Sequence, residues 1–138
     1  MIAILDSNAA IEIVLKRGKA KALREIIEAS EKIVSSEFYR IEVANVIRKY
    51  HQAKYIKKAD CSKILQLADN LIEEFIPIKD NHLEALNEAI RLNFPAYDML
   101  YLTLARRMGA KLVTLDRSLN LLAAKEGIET AGTIHADI

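Results

Sequence analysis

The amino-acid sequence predicts an α/β fold built on a mostly parallel sheet. Short runs of apolar residues alternate along the chain with longer stretches that have the periodicity of helices. The runs are apolar at nearly every position, as in strands that are buried on both faces of a parallel sheet. Only 4 Gly and 2 Pro occur among the 138 residues, which indicates long regular elements joined by short connections. A chain of this length is expected to form one domain, over residues 1–138.

Four apolar runs are predicted strands, and the segments between and after them are predicted helices. The strands are expected at Ile2–Leu5, Ile33–Val34, Phe75–Ile78 and Leu112–Leu115. The helices are expected at roughly residues 8–16, 19–30, 37–54, 57–74, 82–92, 96–108 and 117–126. Because the proline nitrogen has no hydrogen to donate, Pro77 predicts that the third strand lies at a sheet edge or carries a bulge. A further short strand near residues 129–131 is only weakly indicated.

The sequence argues against several classes of protein. Cys61 is the only cysteine, so no internal disulfide is expected, and no Cys/His cluster could bind zinc. The apolar run at the N-terminus is too short for a signal peptide and has no basic lead-in. No apolar stretch approaches the roughly 20 residues that span a bilayer. A cytoplasmic location without a membrane partner is therefore expected.

Charge is divided unevenly between the two halves of the chain. The net charge of +1 excludes a strongly basic nucleic-acid-binding protein. Residues 1–68 contain 13 Lys and Arg against 8 Asp and Glu, whereas residues 69–138 contain 7 against 11. The basic stretch Lys16–Lys21 could contact phosphate groups. Such a stretch is more often a solvated helix face, and the sequence leaves both interpretations open.

Two aspartates follow predicted strands at the point where each strand ends. Asp6 follows the first strand and Asp116 follows the fourth, and each precedes a predicted helix. In open α/β sheets, ligands bind beyond the carboxyl ends of the strands, where the strand order reverses. If these two strands are neighbours, the two carboxylates form a site. Alternatively, each aspartate merely caps the helix that follows it.

Two further acids lie on helix faces that otherwise point inward. Glu42 lies in the third predicted helix, for which Ser36 is the expected N-cap. Asp98 lies near the start of a helix that follows Pro95 and is apolar almost all round, so this helix is expected to be buried. A buried carboxylate needs a partner. A salt bridge to Lys or Arg would supply one, but no candidate lies within one turn of Asp98.

Four carboxylates gathered at one place suggest a metal site. Without a cation they would repel one another and raise one another's pKa values, and a divalent cation reverses that effect. Carboxylate oxygens without Cys or His ligands suit Mg²⁺ or Mn²⁺ better than zinc. Such a site can position a phosphodiester, stabilise charge on its oxygens and activate water for in-line attack. The residues by themselves therefore predict a Mg²⁺- or Mn²⁺-dependent hydrolase of phosphate esters.

Four sequence blocks, taken in order, resemble the PIN domain. The blocks are residues 4–8 (ILDSN), Glu42 with Asn45, residues 97–105 (YDMLYLTLA) and residues 112–117 (LVTLDR). These blocks span nearly the whole chain. Because the chain is short and has no additional domain, it is most similar to the toxins of VapBC toxin–antitoxin systems. The last two blocks are the most specific, because a strand followed by Asp and Ser is common by itself.

The resemblance implies a three-layer α/β/α sandwich whose sheet has the order 3-2-1-4-5. It implies four acids that are both metal ligands and catalytic residues, namely Asp6, Glu42, Asp98 and Asp116. The residues expected to support these ligands or to position water are Ser7, Asn8, Asn45 and Thr114. The resemblance further implies Mg²⁺ or Mn²⁺ as cofactor, single-stranded or loop RNA as substrate, a homodimer, and an antitoxin protein that silences the enzyme.

The sequence departs from the family pattern at one place, and it leaves two alternative functions open. Many relatives carry another acid a few residues after the last motif aspartate, where this chain has Ser118 and Asn120, so one tight ion is expected rather than two. A phosphotransferase with Asp6 as nucleophile is disfavoured because such enzymes need a second Asp where Asn8 stands. A non-catalytic module of the same fold, which binds RNA or a protein partner, is the main alternative.

Five tyrosines could stack on nucleic-acid bases. They are Tyr39, Tyr50, Tyr55, Tyr97 and Tyr101. Tyr50 and Tyr101 lie in predicted helices, where an aromatic side chain more often packs in the core or at an interface.

Overall fold

A computed structural model of the protein describes residues 1–131, and it confirms the predicted α/β alternation. Strands β1–β4 comprise Ile2–Leu5, Lys32–Ser36, Glu74–Ile76 and Lys111–Val113. Helices α1–α7 comprise Ser7–Val14, Ala20–Glu28, Phe38–Gln52, Lys58–Asn70, His82–Leu92, Ala96–Met108 and Arg117–Lys125. The part of the predicted domain at residues 132–138 lies outside the described residues.

The sheet is parallel and has the order β3-β2-β1-β4. Ile4 of β1 pairs with Val34 of β2 on one side and with Leu112 of β4 on the other, so β1 and β4 are neighbours. The predicted order is therefore confirmed for the first four strands. The weakly indicated fifth strand is present only as a single parallel bridge between Leu112 and Thr130.

The third strand lies at the edge of the sheet, as Pro77 predicts. Its predicted extent, to Ile78, is wrong: β3 ends at Ile76, and residues Ile78–Asp80 form a short 3₁₀ turn. Pro77 has a φ of −57° and starts this turn, because a residue without an N–H can leave the hydrogen-bond ladder at no cost.

Helix α3 begins one residue later than the sequence suggests. The hydroxyl oxygen of Ser36 accepts a hydrogen bond from the Phe38 nitrogen at 3.1 Å, but Glu37 occupies the cap position in a helical conformation. The predicted N-cap at Ser36 is thus off by one residue, although Ser36 does satisfy one of the free N–H groups at the helix start.

The helices flank the sheet in two groups. Helices α1–α4 pack against one another, whereas α6 packs against α5 and lies on strands β1, β2 and β4. In α6 every residue from Met99 to Ala105 is buried, which confirms the prediction for this helix. No helix within residues 1–131 has both the length and the apolar character needed to cross a membrane.

Candidate active site

Asp6 lies at the carboxyl end of β1, and both of its carboxylate oxygens accept hydrogen bonds. The side chain is only 5% exposed. Oδ1 accepts from the backbone nitrogen of Ala9 at 3.0 Å, which caps helix α1. Oδ2 accepts from the hydroxyl of Thr114, which follows the neighbouring strand β4. Asp6 therefore does cap the helix that follows it, but the cap uses only one of its two carboxylate oxygens.

Burial raises the pKa of the Asp6 carboxyl to about 7. The hydrogen bonds from Thr114 and Ala9 oppose this shift, and the negative charges of Glu42 and Asp116 add to it. Removing a carboxylate from water disfavours its ionised form, and two like charges nearby disfavour it further. Within residues 1–131, no cationic side chain offsets the effect of burial on Asp6.

Thr114 connects the two aspartates that follow β1 and β4. Its hydroxyl donates to Asp6 and accepts a hydrogen bond from the Asp116 nitrogen at 3.1 Å. Its carbonyl oxygen accepts from the side-chain nitrogen of Asn120 at 2.8 Å. Thr114 and Asn120 are both almost completely buried. The turn after β4 is thus fixed to the end of β1 through one hydroxyl group.

Asp116 caps helix α7, as the simpler interpretation of the sequence suggests. Its Oδ1 accepts a hydrogen bond from the Leu119 nitrogen at 3.0 Å. A carboxylate at this position also interacts favourably with the positive end of the helix dipole. Because Asp116 contributes to the raised pKa of both Asp6 and Asp98, the cap lies close to the other acids.

Glu42 projects from α3 toward α6. Its Oε1 accepts a hydrogen bond from the hydroxyl of Tyr101 at 2.6 Å. Tyr101 is 1% exposed, and the only polar atom of its side chain is satisfied inside the protein by a carboxylate. Burial and the nearby Glu42 both raise the pKa of Tyr101, which keeps its hydroxyl a donor.

Asp98 lies in the first turn of α6 and is half-buried. Burial raises the pKa of its carboxyl to about 6, and the charges of Asp116 and Glu42 add to the effect. The charges of Glu42 and Asp116 thus act on both Asp6 and Asp98, so the four acids predicted from the sequence lie within electrostatic range at one end of the sheet. Two follow adjacent strands, and the other two come from helices in different layers.

None of the four acids forms an ion pair within residues 1–131. Eleven ion pairs occur in this part of the chain, and in each of them the acidic partner is a residue other than these four. The salt-bridge alternative for Asp98 therefore has no support among the described residues. Four carboxylates without a cation partner form a site that favours a positively charged ligand.

The spacing of these acids is not that of a formed metal site. Within residues 1–131 no three Asp, Glu, His or Cys side chains are arranged to coordinate one metal ion. The chemistry of the set fits Mg²⁺ or Mn²⁺, because its donors are carboxylate oxygens. Since carboxylates without a cation repel one another, we expect the four side chains to approach coordination distance only when a cation is bound.

The predicted supporting residues fall in different places. Ser7 is buried at the first position of α1. Asn8 is exposed and borders two clefts, one beside Glu42 and one beside Asp116. Asn45 is exposed next to Glu42, and its side-chain oxygen accepts from Arg48 at 3.1 Å. Only Thr114 has a direct hydrogen bond to one of the four acids.

Sequence reasoning missed two residues that hold the site in place. Tyr101 appeared only as a core aromatic, yet it binds Glu42; its position one turn after Asp98 was the available signal. Asn120 appeared only as the residue that replaces an acid of the family pattern. Its position one turn after Asp116 places its side chain at the Thr114 carbonyl.

Comparison with known proteins identifies the family. The sequence pattern of the PIN domain matches residues 3–125. The chain is 31% identical over 117 residues to Ribonuclease VapC9 of Mycobacterium tuberculosis, covering 85% of this chain and 87% of the relative. It is 25% identical over 121 residues to Ribonuclease VapC3 of Pyrobaculum aerophilum, covering 84% of this chain and 90% of the relative.

Solved structures agree with this fold. The crystal structure of PAE2754 from Pyrobaculum aerophilum superimposes with a TM-score of 0.71 at 21% identity, covering 99% of this chain and 94% of the other. VapBC2 from Rickettsia felis, bound to a DNA fragment from its promoter, superimposes with a TM-score of 0.65 at 17% identity. That match covers 94% of this chain and 97% of the other. The chain belongs to the PIN-domain family.

Proposed function

We propose that this protein is a metal-dependent endoribonuclease and the toxin of a toxin–antitoxin pair. The observation that carries the proposal is the gathering of four carboxylates, without a cation partner in residues 1–131, beside the ends of adjacent parallel strands. Relatives named VapC ribonuclease support the reaction class. The metal dependence and the individual roles of the four acids are our inference from the chemistry of the site.

The four acids have the ligand chemistry that a hard divalent cation prefers. Held by Asp6, Glu42, Asp98 and Asp116, Mg²⁺ or Mn²⁺ would stabilise charge on the phosphate oxygens and activate water for in-line attack. The raised pKa values of Asp6 and Asp98 support this assignment, because burial and the neighbouring acids raise both and no cation within residues 1–131 offsets them. We expect one ion rather than two, since Ser118 and Asn120 replace a further acid of the family pattern.

The protein's own residues position the acids. Thr114 holds Asp6 and the backbone of Asp116 in a fixed relation. Tyr101 holds one oxygen of Glu42 and leaves the other available to complete the ligand set or to orient the attacking water. Asp98 is only half-buried on α6, so part of its surface remains open to solvent.

The phosphotransferase alternative is disfavoured by the surroundings of Asp6. A nucleophilic carboxylate must be reached by the phosphorus of the substrate. Asp6 is 5% exposed, so a phosphate ester has little access to it. Each of its oxygens accepts one hydrogen bond and keeps a second lone pair, which a small cation can use.

The test of the proposal is cleavage of RNA that contains single-stranded loops, with Mg²⁺ or Mn²⁺ added to EDTA-treated protein. We expect cleavage that leaves a 3′-hydroxyl, that EDTA stops, and that Asp98→Asn and Asp116→Asn each reduce by about 100-fold or more. Asp60→Asn is the matched control, because Asp60 is an exposed acid in the first turn of α4. RNA binding that EDTA does not change, without cleavage of any substrate, would instead favour a non-catalytic module.

An antitoxin partner is the second part of the proposal. A groove of about 660 Å³ borders Glu42 and is lined by the apolar side chains of Phe38, Ile41 and Tyr97. Phe38 and Tyr97 stack with their ring centroids 5.9 Å apart, and Ile41 is 65% exposed. A segment of an antitoxin that lies in this groove would cover the site. Co-purification with a co-expressed candidate antitoxin, weakened by Ile41→Asp, tests this.

A homodimer in the cytoplasm completes the proposal. Light scattering of the purified protein measures the dimer directly, and a monomer at all concentrations would remove this part.

A further inference from the structure

We propose that Arg17, Tyr50 and Tyr55 form a subsite that stacks a base of single-stranded RNA, next to the cleft that leads to Asp116. This inference rests on the proposed ribonuclease function and adds a substrate-binding element to it. We refer to these three residues as the aromatic–arginine cluster.

The three side chains of the cluster contact one another. The Arg17 guanidinium carbon lies 5.1 Å from the Tyr50 ring centroid and 5.7 Å from the Tyr55 ring centroid. The two ring centroids are 6.1 Å apart, and the rings meet edge to face at 68°. These distances lie in the range of cation–π and aromatic-pair interactions. The cluster is thus a packed unit rather than three separate surface residues.

The backbone fixes the cluster through two similar turns. Helix α1 ends in a turn in which Lys16 has a φ of 55° and the Arg17 nitrogen donates to the Glu12 carbonyl at 3.1 Å. Helix α3 ends likewise: Lys54 has a φ of 67°, and the Tyr55 nitrogen donates to the Tyr50 carbonyl at 2.9 Å. Because α1 packs against α3, the two turns bring the cluster together.

Both left-handed positions are occupied by lysine, although glycine is the usual residue there. A residue with a side chain is strained in this conformation. The two lysines therefore add positive charge at the cluster while accepting a conformational cost.

Tyr50 and Tyr55 differ in exposure, so one ring can anchor the cluster while the other contacts a base. Tyr50 is half-buried and packs against the hydrophobic core, so it anchors the cluster. Tyr55 is 73% exposed, so most of its ring faces solvent. An aromatic ring held by a neighbour and open on one side is the platform on which single-stranded nucleic acids stack their bases.

Tyr50 connects the cluster to the acidic site. It borders a cleft of about 320 Å³ together with Asn8, Leu115 and Asp116. Glu12 also borders this cleft. Its Oε2 accepts a hydrogen bond from the backbone nitrogen of Lys19 at 3.1 Å, and its Oε1 lies 4.0 Å from the Nε of Arg17. RNA with one base on Tyr55 would therefore have its chain directed along this cleft toward Asp116.

Apart from Glu12, whose Oε1 lies 4.0 Å from the Arg17 Nε, the chain segments that form the cluster carry only positive charge. Residues 13–24 and 43–59 contain no Asp or Glu, and together they hold ten of the twenty Lys and Arg of the chain. These segments include the ends of α1 and α3 at which the cluster lies. Since the four acids themselves repel phosphate, a basic flank is needed to attract RNA to the site.

The composition of the surface favours RNA over a protein partner. The cluster presents aromatic rings among lysines, whereas a protein interface needs a desolvated apolar centre. The apolar side chains of Phe38, Ile41 and Tyr97 line the other groove, which shares only Asn8 with the cleft beside the cluster. The two surfaces therefore suit two different occupants.

The test compares the binding of two fluorescent probes in EDTA, which prevents cleavage. One probe is a single-stranded RNA of about 12 nucleotides, and the other is an abasic backbone of the same length and charge. We expect Tyr55→Ala to weaken RNA binding about fivefold or more and to leave abasic binding unchanged. Tyr55→Phe should restore RNA affinity to within about twofold. Arg17→Ala should weaken the binding of both probes, because its charge also attracts phosphate.

Leu83→Ala is the matched control, because it removes a side chain that is 64% exposed from α5, which does not belong to the α1–α4 group. Melting temperatures of all variants within about 2 °C of the wild type exclude misfolding. Loss of affinity for both probes in Tyr55→Ala, or for neither, would overturn the stacking subsite.

Cleavage by the same variants separates this inference from the proposed function. With Mn²⁺ added, we expect Tyr55→Ala to raise KM and leave kcat unchanged, as for a group that binds substrate away from the reacting atoms. An active wild type whose KM is unaffected by Tyr55→Ala would overturn the subsite alone. An inactive wild type that still shows the predicted binding pattern would overturn the ribonuclease alone.

Discussion

The hydroxyl of Tyr101 donates a 2.6 Å hydrogen bond to Oε1 of Glu42 and so joins helix α6 to helix α3. Asp98 lies one turn before Tyr101 on the same helix. This single contact therefore relates two of the four acids, which come from different helix layers. A buried tyrosine that fills the core also determines where a carboxylate of the site points.

Removing this hydroxyl should impair the site more than it impairs the fold. We expect Tyr101→Phe to lower the free energy of unfolding by about 1–2 kcal/mol and to weaken stabilisation by Mn²⁺, because Glu42 loses its orientation. Melting curves across a Mn²⁺ titration measure both effects.

Tyr39→Phe is the matched control for this prediction. The hydroxyl of Tyr39 is also buried, and it donates to the Ala68 carbonyl at 2.6 Å, between α3 and α4. It should lose similar stability but keep the full response to Mn²⁺. An equal loss of the Mn²⁺ response in both variants would contradict a specific role for Tyr101.

The second prediction concerns metal binding by Asp98. A cation that binds only the folded protein adds about 2.7 kcal/mol of stability at 100 times its dissociation constant. We expect a saturable rise in melting temperature of several degrees for the wild type in Mn²⁺ or Mg²⁺, and little or none for Asp98→Asn. Without metal, Asp98→Asn should be as stable as the wild type or more so, because it relieves repulsion from Asp116 and Glu42. A full metal response in Asp98→Asn would remove this residue from the ligand set.

The third prediction is the pH dependence of stability without metal. The carboxyl of Asp6 has a pKa of about 7 in the folded protein, above the value near 4 expected in the unfolded chain. The folded state therefore binds the proton more tightly, and the free energy of unfolding should fall as pH rises from about 4 to about 7. Asp6→Asn should flatten this fall, as shown by chemical denaturation at several pH values. Identical pH profiles of wild type and variant would contradict the raised pKa.

The fourth prediction concerns the hydroxyl that connects the two strand ends. Thr114→Val keeps the shape of the side chain but leaves the Asp6 carboxylate and the Asp116 nitrogen without their shared partner. We expect a loss of about 1–3 kcal/mol of stability and of most RNA cleavage. Thr114→Ser keeps the hydroxyl and should restore most of both. Failure of Thr114→Ser to recover more than Thr114→Val would show that the methyl group, not the hydroxyl, matters.

Much of the fold could be predicted because its signals are local. Residues 3–5 of the first apolar run and the apolar helix after Asp98 are buried as expected. Pro77 predicts the edge position of β3, since the missing N–H is a property of the residue itself. Element ends were less predictable: helix α4 stops at Asn70, four residues before its predicted end, because β3 starts at Glu74 to pair with β2.

For the site, the sequence by itself determined which residues carry carboxylates and which of them follow strands or face inward along a helix. Only the tertiary structure decided that β1 and β4 are neighbours, that Thr114 binds Asp6, and that Tyr101 binds Glu42. Residue type and periodicity act over a few residues, whereas these contacts join positions 59 to 108 residues apart. Such contacts depend on how helices and strands pack, because burial of their apolar faces, and not the polar groups themselves, brings the segments together.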